Sequence, residues 1–109
     1  MTERAVPSFS RKRVDEDLPL SYDFVNDLPS DVTIDAVGTT VATVAADSAV
    51  SDSSPSGIIS GSAADSGTVV TQKVINGTNG CNYLLVFQVT GSDGMIYQGE
   101  AYLLVENAS

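Results

Sequence analysis

The stretch NYLLVFQVTGSDGMIYQGEAYLLVE, residues 82–106, consists of two apolar runs joined by four small polar residues. Side chains alternate faces along a strand, so residues two apart share a face. In the first run Cys81, Tyr83, Leu85, Phe87 and Val89 fall on one face, while Asn82, Leu84, Val86 and Gln88 fall on the other. In the second run, Tyr97, Ala101, Leu103 and Val105 oppose Ile96, Tyr102 and Leu104. "GSDG" at 91–94 supplies turn residues between them. The stretch predicts a hairpin of strands 81–90 and 95–106, with the first run as a central strand apolar on both faces. The surplus apolar face leaves two readings open: an intersubunit contact, or a greasy central strand in a monomer.

Working outward, "TVVTQKVI" (68–75) alternates with a period of two, and "NGTNG" (76–80) is a turn whose Asn-Gly tolerates positive φ. Upstream, "LSYDFV" places Leu20, Tyr22 and Phe24 on one side. "NDLPSD" (26–31) is a turn, and "DVTIDAV" sets Val32, Ile34 and Ala36 against Thr33, Asp35 and Val37. In "GTTVATVAA" the phase slips between Val41 and Val44, the mark of a bulge or an end of pairing. Short strands are expected at Ala49–Val50 and at 57–60, with "GSAADSG" (61–67) as a loop. Seven or so short strands with frequent turn signals predict an all-β, antiparallel β-sandwich.

The 109 residues allow one domain. A chain of this size buries about 60–70% of its unfolded surface, enough for one core. With no Trp and few aromatics, Val, Leu and Ile must carry the packing. Charge is unevenly spread. Arg4, Arg11, Lys12 and Arg13 lie in the first 13 residues with one acid, and 13 acids with one base, Lys73, follow. The chain divides into a basic leading arm, residues 1–17, and an acidic body, residues 18–109. Two readings of the arm stand side by side: a disordered tail, or a segment that orders on a neighbouring subunit. On either reading, residues 2–13 are expected to be removable without loss of the fold.

The chemistry that composition excludes is extensive. There is no histidine, which removes the commonest general base, Ser–His pairs and most transition-metal sites. A lone cysteine, Cys81, allows neither an intrachain disulfide nor a thiolate zinc cluster, and reads as a small core residue. No glycine loop with lysine cradles phosphate. Asp47, Asp52 and Asp65 could in principle converge on calcium, but they lack the D-x-D-x-D-G pattern and read as turn residues. The expectation is no enzyme, no metal and no cofactor. An acidic body repels nucleic acid and anionic lipid. No run approaches the roughly 20 apolar residues of a membrane span, and "MTERAVPSFSRKRV" lacks the apolar segment of a secretory leader. Synthesis in the cytoplasm is expected.

Three pieces, "VDEDLPLSYDF", "LPSDVTIDAV" and "NGTNGCNYLLVFQVTGSDGMIYQGEAYLLVE", resemble a family of small bacteriophage proteins described as fibre-tail adaptor or neck-associated Ig-like proteins. The positions that carry the likeness are Gly80, Tyr83, Leu85, Phe87, Val89, Asp93, Gly94, Tyr102 and Leu104. The chain departs from that pattern in having no Trp in its entry segment and in its basic "RKR" arm. The resemblance implies an Ig-like sandwich and a structural role in a virion, joining neck or tail to fibres, with other virion proteins as partners and several copies in the particle. A decoration or cement subunit of the head, or a carbohydrate- or receptor-binding module, are the alternatives. The loops at 47–67 contain no aromatic residue, which disfavours sugar binding. Arg4, Phe9, Arg11, Lys12 and Arg13 are the expected partner-binding residues of the arm.

Overall fold

The computed structural model describes Phe9 and residues 11–107. Seven strands occur in chain order: β1 (Leu18–Asp23), β2 (Ile34–Val37), β3 (Val41–Val44), β4 (Ile59–Ser66), β5 (Val69–Val74), β6 (Cys81–Gly91) and β7 (Ile96–Val105). A 3-10 turn, Pro55–Ile58, precedes β4. They form two antiparallel sheets, β1–β5–β4 and a second one centred on β6, packed as a sandwich. The all-β reading holds.

β6 is the centre of the second sheet. Along one edge it pairs with β7 from Cys81↔Val105 to Thr90↔Ile96. Along the other it pairs with β3 through Val41↔Val86 to Val44↔Tyr83, and with β2 through Ile34↔Gly91 to Val37↔Val89. β2 and β3 therefore run end to end on one edge, interrupted at residues 38–40. The break lies ahead of Val41, whereas the slip read between Val41 and Val44 falls inside β3, whose pairing with β6 is regular to its end at Val44. The expected inward face of β6 is fully buried, and its opposite face is half-buried throughout.

The core lies between the sheets. Leu20, Phe24, Ile58, Val70 and Val74 meet Tyr83, Leu85, Phe87, Val89, Leu103 and Val105, all buried. Cys81 is buried among them. Tyr22 stacks on Phe87, with ring centroids 5.6 Å apart, and meets Phe24 edge-on at 4.8 Å. Its ring occupies the space that a Cβ at position 99 would need, which is why β7 carries Gly99 there. The Tyr22 hydroxyl donates to Asp27 Oδ2 at 2.8 Å, anchoring the turn after β1.

Tyr83 holds the opposite end. Its hydroxyl accepts from the Thr78 N–H at 2.8 Å and donates to Asp52 Oδ2 at 2.6 Å. One phenol thereby ties the β5–β6 turn and the loop after β3 to the core. The Tyr83 hydrogen bond holds the Asp52 carboxyl below its usual range, helped by the Ser54 N–H. Burial, then the bond to Asp52, pushes the Tyr83 phenol well up.

Three local expectations are corrected. Residues 61–66 belong to edge strand β4 rather than to a loop. The strand is bulged between Ser60 and Ala64, and the buried Gln72 amide donates to the carbonyls of Ser60 and Gly61 where the backbone ladder lapses. Ala49–Val50 is a bend, not a strand. In β2 a register shift between Ile34 and Ala36 turns Ala36 outward and Val37 inward, reversing the expected phase at that end. Phe9, Arg11 and Lys12 lie beside β7, as described below.

Gly99→Ala drives a methyl into the Tyr22 ring and is expected to cost about 1–3 kcal/mol in urea unfolding. Gly57→Ala, which meets nothing within 4 Å, should stay within roughly 0.5 kcal/mol of the parent. Tyr83→Phe leaves Asp52 and the Thr78 N–H without their partner and is expected to cost about 1–3 kcal/mol at neutral pH. The Asp52 carboxyl is depressed on folding, so its contribution is present above its unfolded value of 3.8 and is lost as pH falls through the folded value. Asp52→Asn should therefore make the acid limb of a pH–stability curve shallower below that point.

Candidate docking surfaces and the leading segment

Phe9, Arg11 and Lys12 lie along the outer edge of β7. The Phe9 N–H donates to Tyr102 O at 2.8 Å, Lys12 N–H to Leu104 O at 3.0 Å, and Glu106 N–H to Lys12 O at 2.9 Å. Lys12 and Val105 form a parallel bridge. Phe9 is half-buried and meets Phe87 edge-on, with centroids 6.1 Å apart, so it extends the aromatic file of Phe87, Tyr22 and Phe24.

Lys12 is 0% exposed. Its Nζ donates to three carbonyls: Asn76 O at 2.6 Å, Arg13 O at 2.7 Å and Val14 O at 3.1 Å. All three ammonium protons are used, and the leading segment is clamped to the β5–β6 turn. Burial lowers the Lys12 pKa, while Asp17, Glu16 and Asp15 nearby work to raise it. Arg11 and Arg13 point outward and are exposed. Arg11 Nη1 lies 3.5 Å from Glu106 Oε1, both about half exposed, a pair worth little on its own. Arg4 lies outside the described residues. Of the five residues singled out by sequence, the structure brings Phe9, Arg11, Lys12 and Arg13 onto one edge of one sheet. Lys12 faces inward, which a run of three bases does not announce.

The two outer faces differ in kind. On the β1–β5–β4 sheet the rows read Pro19–Lys73–Ser60, Ser21–Thr71–Ala64 and Asp23–Val69–Ser66. That face is small and polar. On the β6 sheet the rows read Val41–Val86–Glu100, Thr43–Leu84–Tyr102 and Asn82–Leu104. Val41 is 51% exposed, Thr43 and Glu100 are exposed too, and Asn82, Leu84, Val86, Tyr102 and Leu104 are half-buried. Beside this apolar strip is an open cleft of 510 Å³, lined by Asp47, Ser48, Tyr102 and Leu104, with Phe9 at its margin.

A smaller pocket of 220 Å³ sits on the seam between the two sheets. It is lined by residues 37–40 and 61–63 with Gln72. Thr40 Oγ1 is buried without a hydrogen-bond partner among the described residues. The pocket is polar and roomy enough for water. No group of three or more His, Cys, Asp or Glu gathers to hold a metal among the described residues. Asp52 is bonded to Tyr83, Asp65 stands on β4, and Asp47 rims the outer cleft.

A family model described as "Podophage GP4 fiber-tail adaptor protein gp77" matches residues 12–104. No curated protein and no solved structure matches the chain.

Phe9→Ala removes the ring that meets Phe87 edge-on and should lower the melting temperature. Deleting residues 2–13 removes the Phe9 ring, the Lys12 clamp and the parallel bridge, and should cost at least about 2 kcal/mol. Lys12→Met keeps the length of the side chain but leaves three carbonyls unbonded. Chemical denaturation of the three variants beside the parent orders them.

Proposed function

The chain belongs to the podophage fibre-tail adaptor family, and on that premise we propose that it is a structural virion protein joining tail to fibre by docking, through an Ig-like sandwich and its leading segment. The observation that carries the docking reading is the contrast between the outer faces. One is Ser, Thr, Pro and Lys, as a solvated sheet is. The other sets Val41, Leu84, Val86, Tyr102 and Leu104 against solvent. An apolar strip of this kind on a soluble domain favours a protein partner. Its polar margins, Asp47, Asn82 and Glu100, fit the rim of an interface.

Two features support the Ig-like reading. The order β1–β5–β4 facing β2/β3–β6–β7 corresponds to strands B–E–D facing C–F–G. Tyr83, near the start of β6, reaches back to the backbone of Thr78, as the tyrosine corner of such domains does. Phe9 and Lys12, bonded to β7, then stand where a first strand would lie along the last.

The leading segment contributes in two ways. Phe9 and Lys12 fix its course along β7. Arg11 and Arg13 present positive charge to a neighbour at the margin of the apolar face. Catalysis has no support in the chain: histidine is absent, and Tyr83, Asp52 and Lys12 are engaged in structural bonds. The net charge of −9 opposes self-association of the free chain, so multiple copies would be ordered by the particle. Synthesis in the host cytoplasm fits a fold whose single cysteine is buried and unpaired.

The test is the triple variant Val41→Thr, Leu84→Thr and Leu104→Thr, which keeps β-forming side chains while removing apolar surface. Its circular dichroism should match the parent, and its recovery in purified particles should fall at least about tenfold, the equivalent of roughly 1.4 kcal/mol. Recovery at parental levels would exclude this face as the contact.

A further inference from the structure

The end of the sandwich at the β6–β7 turn carries a second feature that the fold itself does not use. Three segments meet there: the β1–β2 connection, the β4–β5 turn and the β6–β7 turn. The Phe24 N–H donates to Thr68 O at 2.8 Å, and Ser92 N–H to Thr33 O at 2.8 Å, with Thr33 N–H returned to Ser92 Oγ at 3.1 Å. On this end Val25 is 54% exposed and Met95 62% exposed, with Ile96 at the rim. Val25, Met95 and Ile96 are three of the four large apolar side chains left exposed among the described residues.

The charge of this end is one-sided. Asp23, Asp27, Asp31, Asp35, Asp65 and Asp93 all stand on it. Three of them hold turns: Asp23 accepts from Val25 N–H and Thr68 Oγ1, Asp27 from Tyr22, and Asp93 from Met95 N–H and Tyr97. The other three, Asp31, Asp35 and Asp65, are exposed and take part in no described hydrogen bond or ion pair. The four described cations are elsewhere. Arg11, Lys12 and Arg13 lie at the far end of β7, and Lys73 pairs with Pro19 and Ser60 toward that same far end.

We infer that this end is a second docking surface, distinct from the apolar face of the β6 sheet, and that it takes a cationic protein surface of the virion with apolar side chains at its centre. The inference rests on the adaptor reading, since a protein that joins two bodies needs two separate contacts. Opposite charge at the rim orients and speeds the encounter, while desolvated apolar side chains hold it. A second copy of the chain does not fit. Its four described cations are matched by Glu106, Asp15, Glu16 and Asp17, so that end offers no net positive charge to the acidic one. Nucleic acid carries the wrong sign.

The experiment uses the full chain with tails and fibres purified separately from particles assembled without it, and reads co-sedimentation at low and raised salt. Two variants address the end: Asp31→Asn, Asp35→Asn and Asp65→Asn together, and Val25→Thr with Met95→Thr. The Val41, Leu84 and Leu104 variant addresses the face. The two end variants should both lose at least about tenfold in affinity for the same one of the two partners and keep the other. Added salt should weaken that same contact in the parent chain. The face variant should show the opposite loss. End variants that bind both partners like the parent, or that lose both while still folded by circular dichroism, overturn the inference. A parent chain that binds neither tails nor fibres overturns the adaptor reading itself, and the inference with it.

Discussion

Strand β6 must be paired along both edges at once, and the placement of every other element follows from that requirement. A strand buried on its inner face cannot leave backbone N–H and C=O groups without partners. β7 satisfies one edge through a tight turn, where Asp93 and the positive φ of Gly94 set the geometry. No single strand satisfies the other edge. β2 and β3 share it, and the break between them is where the seam pocket opens. With both edges filled, the alternation of β6 delivers Tyr83, Leu85, Phe87 and Val89 to the core and leaves Leu84 and Val86 outside. The outer apolar strip is thus a direct consequence of a strand that is aliphatic on both sides.

β7 inherits the same problem one strand further out, and the leading segment answers part of it. Its solution is a buried lysine whose ammonium meets carbonyl oxygens rather than a carboxylate. Desolvating a cation is costly, and three short hydrogen bonds offset that cost only if all three acceptors are held in place. The acceptors come from Arg13 and Val14 on its own segment and from Asn76 in a turn, where Asn76 itself adopts a φ of 52°. A leucine at position 12 would pack against the same strand but would not fix the course of the chain at residues 13 and 14. The clamp makes the position of Arg11 and Arg13 a property of the fold and not of a loose tail.

What the sequence made legible follows the strength of alternation. β6, β7 and β5 are rich in branched and aromatic residues at period two, so their faces could be assigned residue by residue. β4 is Ile, Ser, Gly, Ala and Asp. It is a strand because β5 needs an edge partner and Gln72 mends the bulge, and neither reason is local. The reversal at Ala36 and Val37 depends on a register shift that only the partner strand defines. The inward turn of Lys12 was hidden for a similar cause, since a run of three bases reads as solvated until the carbonyls that surround one of them are known. The outer apolar residues were visible as surplus. The acidic end was not, because Asp31, Asp65 and Met95 come to one end of the sandwich only when three connections are brought together.

Surface charge and exposed apolar area are usually opposed requirements, and here they are reconciled by where each is put. Exposed strips such as Val41, Leu84 and Tyr102 would drive aggregation of a neutral chain, since they lie flat on a sheet. A net charge of −9 on 109 residues keeps free copies apart. The same charge becomes an asset when the partner is cationic, because repulsion between copies turns into attraction toward the target. On the inferred docking reading, the charge keeps free copies apart and favours a surface of opposite sign, a selectivity that needs no conformational switch. Under that logic the carboxylates without structural bonds, Asp31, Asp35 and Asp65, define the partner more closely than the apolar residues do, for apolar contact is permissive and charge is not.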